Sequence, residues 1–301
     1  LHFKDAFHGR SGYTLSVTNT DPTKTRDFPQ FDWPRISTPF IDFPLDDEVV
    51  GRKEEEACAE IEAAFEGDPD GIAAILIEPI QGEGGDHHFR PQFFSKLRDY
   101  ADRYEALLIF DEVQTGLGIT GTLWAYEQTG VTPDLICFGK KTQVCGVMST
   151  RRIDEIETNV FRVSSRINST WGGNLVDMVR CARYLEIIDE DGLVENAARV
   201  GAGLKEGLEG LEADFEGVTN VRGAGLLVAM DLPDGETRDR VWQGCWDRGL
   251  AVLSCGPRSI RLRPPLVFSK EDASTAVGTL REVLNEPSTD SEAVRTQRRY
   301  V

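Results

Sequence analysis

The chain has 301 residues, 40% of them hydrophobic and 28% charged, with a formal net charge of −18 and an isoelectric point of about 4.7. That length can bury a substantial core and suits two domains. The acidic balance excludes a nucleic-acid backbone or an anionic membrane as main partner, since both require clustered Lys and Arg. Few of the 33 basic residues are lysines, which fits a salt-rich cytoplasm and equally an ordinary acidic bacterial enzyme.

The opening residues, LHFKDAFHGR, read as the middle of a strand and its exit loop, so the natural N-terminus is expected upstream of Leu1. Residues 11–44 are rich in Pro, Asp and Thr without a sustained period. They read as a long surface excursion, and loops of that length are usually functional. Residues 52–65 set Ala, Ile and Phe at helical spacing among charges, the pattern of an amphipathic helix. Residues 72–77, IAAILI, form a buried strand ending on Glu78 and Pro79. A Gly-rich loop, QGEGGDHHF, follows, with His87 and His88 expected in solvent, and Pro91 opens a helix through 104. Residues 106–110 form a second buried strand, ending on Asp111 and Glu112; residues 135–138 form a third, ending on Gly139, Lys140 and Lys141.

Helical periodicity then runs from 175 to 211, weakened at 189–192. Residues 222–233 read as one strand entered through glycines, 237–248 as a helix, and 251–253 and 260–262 as short strands. A last helix spans 269–284, with Ser269 and Asp272 as a capping box. Strands separated by helices imply a parallel sheet with right-handed crossovers. The fold class is therefore α/β: a mostly parallel large domain over 1–185, a smaller α+β domain over 186–287 and a polar tail over 288–301. No run of apolar residues reaches membrane-spanning length and no signal peptide opens the chain. The six cysteines form no C-x-x-C and the four histidines no metal-ligand spacing, so reduced thiols, no metal and a cytoplasmic location are expected.

Open α/β sheets bind ligands at the carboxyl ends of their parallel strands, so Asp111 and Lys140 face one crevice. A lysine in a dry pocket has its ammonium disfavoured and can act as a nucleophilic amine toward an aldehyde. A carboxylate beside a pyridine nitrogen keeps that nitrogen protonated and makes the ring an electron sink. The same residues fit blander roles, since a strand-end Asp is often an N-cap and a Lys-Lys pair a solvated edge. LLIFDE also looks like the magnesium-binding strand of P-loop NTPases, but residues 1–301 contain no G-x-x-x-x-G-K-[ST] loop. A shortened, non-catalytic chain is the other reading outside the enzyme class.

The stretches AFHGRSGYTLS, FDWPRI, EPIQGEGGD, LLIFDEVQTG, DLICFGKKTQVCGVM, NSTWGGN and IRLRPPL carry a resemblance. From residue 1 to about 277 the chain is similar to the class III, fold-type-I pyridoxal-phosphate aminotransferases, and within them to those acting on the side-chain amine of lysine. The resemblance implies transfer of the ε-amino group of L-lysine to 2-oxoglutarate, giving 2-aminoadipate 6-semialdehyde and L-glutamate. An ornithine, acetylornithine or 4-aminobutyrate aminotransferase is the alternative. It implies pyridoxal 5'-phosphate on Lys140, with Lys141 as the lesser candidate, Asp111 at the pyridine nitrogen and Gln114 at the phenolic oxygen. Phe7 would stack on the ring with His8 beside it, and Thr170 would reach the phosphate of a neighbouring subunit in a homodimer. Arg10 would hold the α-carboxylate of lysine and Arg261 that of glutamate, with Arg263 close enough to be confused with it. Glu83 would pair with Arg261 and swing aside for the keto acid, and Glu78 would line the site. The family's phosphate-cradling Gly/Ser loop is expected upstream of Leu1.

Overall fold

The computed structural model describes residues 1–167, 170 and 173–286. The tail expected over 288–301 lies outside them, as do Asn168, Ser169, Trp171 and Gly172 of the NSTWGGN stretch.

The chain opens with β1 (His2–Phe3), the short helices α1 (Gly12–Ser16) and α2 (Pro22–Thr25), and β2 (Arg35–Ile36). Next come α3 (Asp47–Gly67), β3 (Ala74–Ile77), α4 (Pro91–Arg103), β4 (Leu107–Asp111), β5 (Leu135–Phe138) and β6 (Gly146–Ser149). The C-terminal part holds α5 (Leu175–Glu190), α6 (Leu193–Asp214), β7 (Thr219–Ala224), β8 (Leu227–Asp231), α7 (Gly235–Asp247), β9 (Leu253–Cys255), β10 (Ser259–Leu262) and α8 (Lys270–Leu284).

Local chemistry sets the ends of these elements. Asp46 caps α3 by accepting from the backbone N–H groups of Glu48 and Val49, and Asp47 and Glu48 suit its positive N-terminal end. Pro91 sits at the first turn of α4, where its missing N–H costs nothing. The Ser269–Asp272 capping box forms as expected at α8.

The first main sheet has the order β3-β4-β5-β6, with β3, β4 and β5 parallel and β6 antiparallel at the edge. Leu1 runs alongside β3, its amine donating to the Ala74 carbonyl at 2.9 Å, so the opening residues do behave as a strand. The helices α3 and α4 bury Ile61, Phe65, Phe93 and Leu97 against Ile75, Leu108 and Phe110. The second main sheet, β7-β8-β10-β9, is antiparallel. It shares a core of Leu204, Leu208, Val228, Met230, Ile260 and Leu280 with α6 and α8.

Three expectations need correction. Residues 222–233 are not one strand but the hairpin of β7 and β8, turned at Gly225 with φ +53°. A side chain there would also meet the Ile119 carbonyl oxygen at 2.5 Å, so only glycine fits. The 175–211 period divides into two helices where the pattern weakens, at Gly192 with φ +58°. The 11–44 excursion contains α1, α2 and β2, the last pairing in parallel with β1. His87 and His88 are not in solvent: His87 stacks on Phe40 with ring centroids 4.0 Å apart, and burial lowers the two to about 4 and about 3. All six cysteines are free.

Candidate active site

Register positions the chemistry. Ile77 pairs with Phe110, and Asp111 pairs with Cys137. The strand ends carrying Glu78, Asp111 and Lys140 therefore line up along one edge of the parallel strands. One Asp111 oxygen accepts from the Val113 N–H at 3.0 Å, which is the strand-end turn of the bland reading. The other meets His8 Nδ1 at 2.8 Å, a contact across the fold that no cap requires. His8 Nε2 is buried without a hydrogen-bond partner among the described residues. Glu78 accepts from the N–H groups of Phe7 at 3.0 Å and Gly82 at 2.9 Å. Burial pushes its carboxyl up to about 7, with His8 opposing the shift and the charge of Asp111 adding to it.

The two lysines have different surroundings. Lys140 is exposed on the cavity wall and not in a dry pocket, and partial burial, then Arg263 and Arg261, hold its ammonium below the usual lysine range. Its amine makes no hydrogen bond among the described residues. Lys141 donates to the carbonyls of Gln114 at 2.6 Å and Gly116 at 3.1 Å, and burial, then Arg263, lower it to about 7. Lys141 thus ties down the loop after β4, while Lys140 is free to react. Both line a cavity of about 660 Å³ with Gln114, Tyr184, Arg261 and Arg263.

The expected ion pair between Glu83 and Arg261 is not formed. Arg261 donates to the Gly82 carbonyl at 2.8 Å and lies 3.6 Å from Asp86. Arg263 contacts both Asp86 and the side-chain oxygen of Gln114. With that oxygen engaged, the Gln114 amide N–H is the group left to donate. The Glu83 carboxylate meets the Lys24 ammonium instead. The Phe7 ring has two cations over it, Arg10 at 5.9 Å and Lys24 at 5.4 Å from its centroid. Arg10 and Thr170 are exposed.

Three residues escaped the sequence reading. Asp86 is fully buried and is the carboxylate that both arginines share. Arg222, also buried, donates to the carbonyls of Gly85 at 3.2 Å and Asp86 at 2.9 Å while pairing with Asp231 at 2.9 Å. It fastens the Gly-rich loop to the antiparallel sheet. Lys24 sits in the stretch that lacked any period. No residue-type signal marks these three; only the Arg-Gly pair at 222–223 hints at a special position. Among the described residues no group of His, Cys, Asp and Glu could hold a metal ion. The arrangement offers a free amine, a fixed carboxylate and an arginine pair with one shared counter-charge, which suits amine chemistry on a small carboxylate-bearing substrate.

Comparisons agree with this chemistry. The family model described as aminotransferase class III matches residues 1–284. The L-lysine-epsilon aminotransferase of Mycobacterium tuberculosis is 53% identical over 285 residues, covering 94% of this chain and 64% of the relative. That of Amycolatopsis lactamdurans is 50% identical over 284 residues, covering 93% and 63%. A solved structure, the lysine aminotransferase from M. tuberculosis in the internal aldimine form, superposes with a TM-score of 0.92 at 53% identity, covering 94% of this chain and 65% of that one. The chain therefore spans about 64% of the length of the curated relatives it matches. The architecture is that of the fold-type-I aminotransferases.

Proposed function

Because this chain belongs to the class III aminotransferases, we propose that it carries a pyridoxal-phosphate site that moves the ε-amino group of L-lysine to 2-oxoglutarate. The products are 2-aminoadipate 6-semialdehyde and L-glutamate. The observation that carries this reading is the alignment of Asp111 and Lys140 at adjacent parallel strand ends beside an arginine pair.

The residues fit the cofactor: a carboxylate fixed from two sides, an amine without a hydrogen bond, and a buried ring nitrogen of His8 without a partner. When bound, pyridoxal phosphate supplies the electron sink for the pair left when a proton departs beside the amine nitrogen. Asp111 would hold the proton on the pyridine nitrogen, and His8, 2.8 Å away, holds Asp111 in place. Lys140 Nζ would hold the aldehyde carbon until the substrate amine takes its place, and the amine so freed, held below the usual lysine range, would then move the proton as general base and acid. Phe7 would cover one face of the ring, and the Gln114 amide N–H, its oxygen being engaged by Arg263, would donate to the phenolic oxygen.

Substrate choice rests on the arginines, whose forks suit carboxylates. Arg10 takes the α-carboxylate of lysine and Arg261 that of 2-oxoglutarate or glutamate. Glu83 pairs with Arg261 while the lysine stem lies there and swings aside for the keto acid, and Glu78 lines the site. Thr170, exposed here, reaches the phosphate of a second subunit in a cytoplasmic homodimer. No described helix is long and apolar enough to cross a membrane. The division into a large unit over 1–185 and a smaller one over 186–287 belongs to the same reading. Mixing the cofactor-loaded protein with L-lysine alone tests the substrate: the cofactor should convert to its amine form, and faster conversion with L-ornithine would overturn the assignment.

A further inference from the structure

We infer that Lys24 is a positioning residue: it holds the Glu83 carboxylate away from Arg261 and so keeps the arginine pair open to a dicarboxylate. This rests on the acid-substrate role of Arg261 given above.

Charge counting shows why a holder is needed. Arg261 and Arg263 share one carboxylate, Asp86, which is closer to Arg263 than to Arg261. The cluster therefore keeps one positive charge in excess, and an excess charge in a sheltered site attracts the nearest mobile anion. Glu83 is that anion. Its own peptide is adjacent to the Gly82 carbonyl, which Arg261 grips at 2.8 Å. The Glu83 carbonyl in turn accepts from the Gly256 N–H at 3.1 Å. The backbone is thus pinned on both sides, and side-chain rotation alone would bring the carboxylate toward Arg261. Left to itself, Glu83 would neutralise the arginine and compete with an incoming carboxylate.

Lys24 prevents this. Its ammonium contacts Glu83 and also donates to Thr20 Oγ1 at 3.0 Å, and its side chain is only 14% exposed. The turn that presents it is preset: Pro22 opens α2, Asp21 caps it by accepting from the Thr23 N–H at 2.9 Å, and the Lys24 N–H donates to the Asp21 carbonyl at 3.0 Å. A sheltered ion pair with a fixed partner holds better than a solvated one. Glu83 thus has two cations to choose between. The balance sets what fraction of the protein accepts an acid, and apparent affinity scales with that fraction.

The test is calorimetric titration of the full chain with glutarate, an unreactive dicarboxylate. Lys24→Met should weaken glutarate binding by about tenfold, the effect of a competent fraction falling to roughly a tenth. Lys24→Arg, which keeps the cation, should bind like the unaltered protein. Glu83→Gln should bind at least as tightly, and Lys24→Met/Glu83→Gln should match Glu83→Gln. Circular dichroism of each variant separates a folding defect from a binding one, and recovery in the double variant shows that the Lys24→Met chain is folded. Unchanged binding in Lys24→Met would overturn the inference. A double variant as weak as Lys24→Met would overturn it too, because Lys24 would then touch the ligand directly. Glutarate binding insensitive to Arg261→Met would instead overturn the acid-substrate role itself.

Discussion

Replacing Glu78 by Gln isolates the titration of a buried acid beneath the site. Burial pushes the Glu78 carboxyl from its ordinary 4.5 up to about 7. That difference of roughly 2.5 pH units corresponds to about 3 kcal/mol of pH-dependent stability. The folded chain keeps this proton until about pH 7, whereas the unfolded chain releases it near 4.5. Between those values the unfolded state binds fewer protons, so the Glu78 contribution is complete below 4.5 and erodes as pH rises through 7. Glutamine cannot ionise and loses nothing across the window. It carries a constant penalty of about 1 kcal/mol, because its amide offers one acceptor to the two N–H groups of Phe7 and Gly82. Urea unfolding of both proteins at a series of pH values from 4.5 to 7.5 measures the difference. The unaltered protein should lose about 3 kcal/mol more than Glu78→Gln over that range. Parallel profiles would refute the reasoning, since Glu78 would then titrate like a solvated acid.

Lys141 should behave with the opposite sign. Burial lowers it from 10.5 to about 7, so the unaltered protein should gain stability relative to Lys141→Met as pH rises from 7 toward 10.5. Unfolding at the two ends of that window checks it, and a pH-independent difference would show that the two carbonyl contacts offset the burial. Arg222→Met removes the clamp on Gly85 and Asp86 and strips Asp231 of its buried cationic partner. A loss of about 3–5 kcal/mol is expected, read from the urea midpoint; a loss below about 1 kcal/mol would mean that the loop holds its place without Arg222.

The strand ends were readable because a buried parallel strand is an unbroken apolar run, and its first polar residue marks the sheet edge. Asp111 and Lys140 stand out on that ground, and the β5 strand was placed to the residue. The hairpin at Gly225 was not readable, because β7, TNVRGA, has no apolar run to mark it and the turn is one glycine among several. Lys24 and Glu83 are 59 positions apart, and Arg222 and Asp86 136. Contacts of that span depend on how two sheets and a surface excursion pack, which no local pattern encodes. The adjacent histidines misled for a related reason. A polar pair in a Gly-rich loop reads as solvated, yet Arg222 draws that loop onto the antiparallel sheet and Phe40 covers His87.

The central claim is that Lys140, and not its better-buried neighbour, is the reactive amine. Borohydride trapping of added pyridoxal phosphate, followed by peptide mapping, tests it directly, because Lys141 is held by two carbonyls and the Lys140 amine is free. A single adduct on Lys140 is expected, absent from Lys140→Ala although Lys141 remains. An adduct on Lys141, or one that persists in Lys140→Ala, would contradict it.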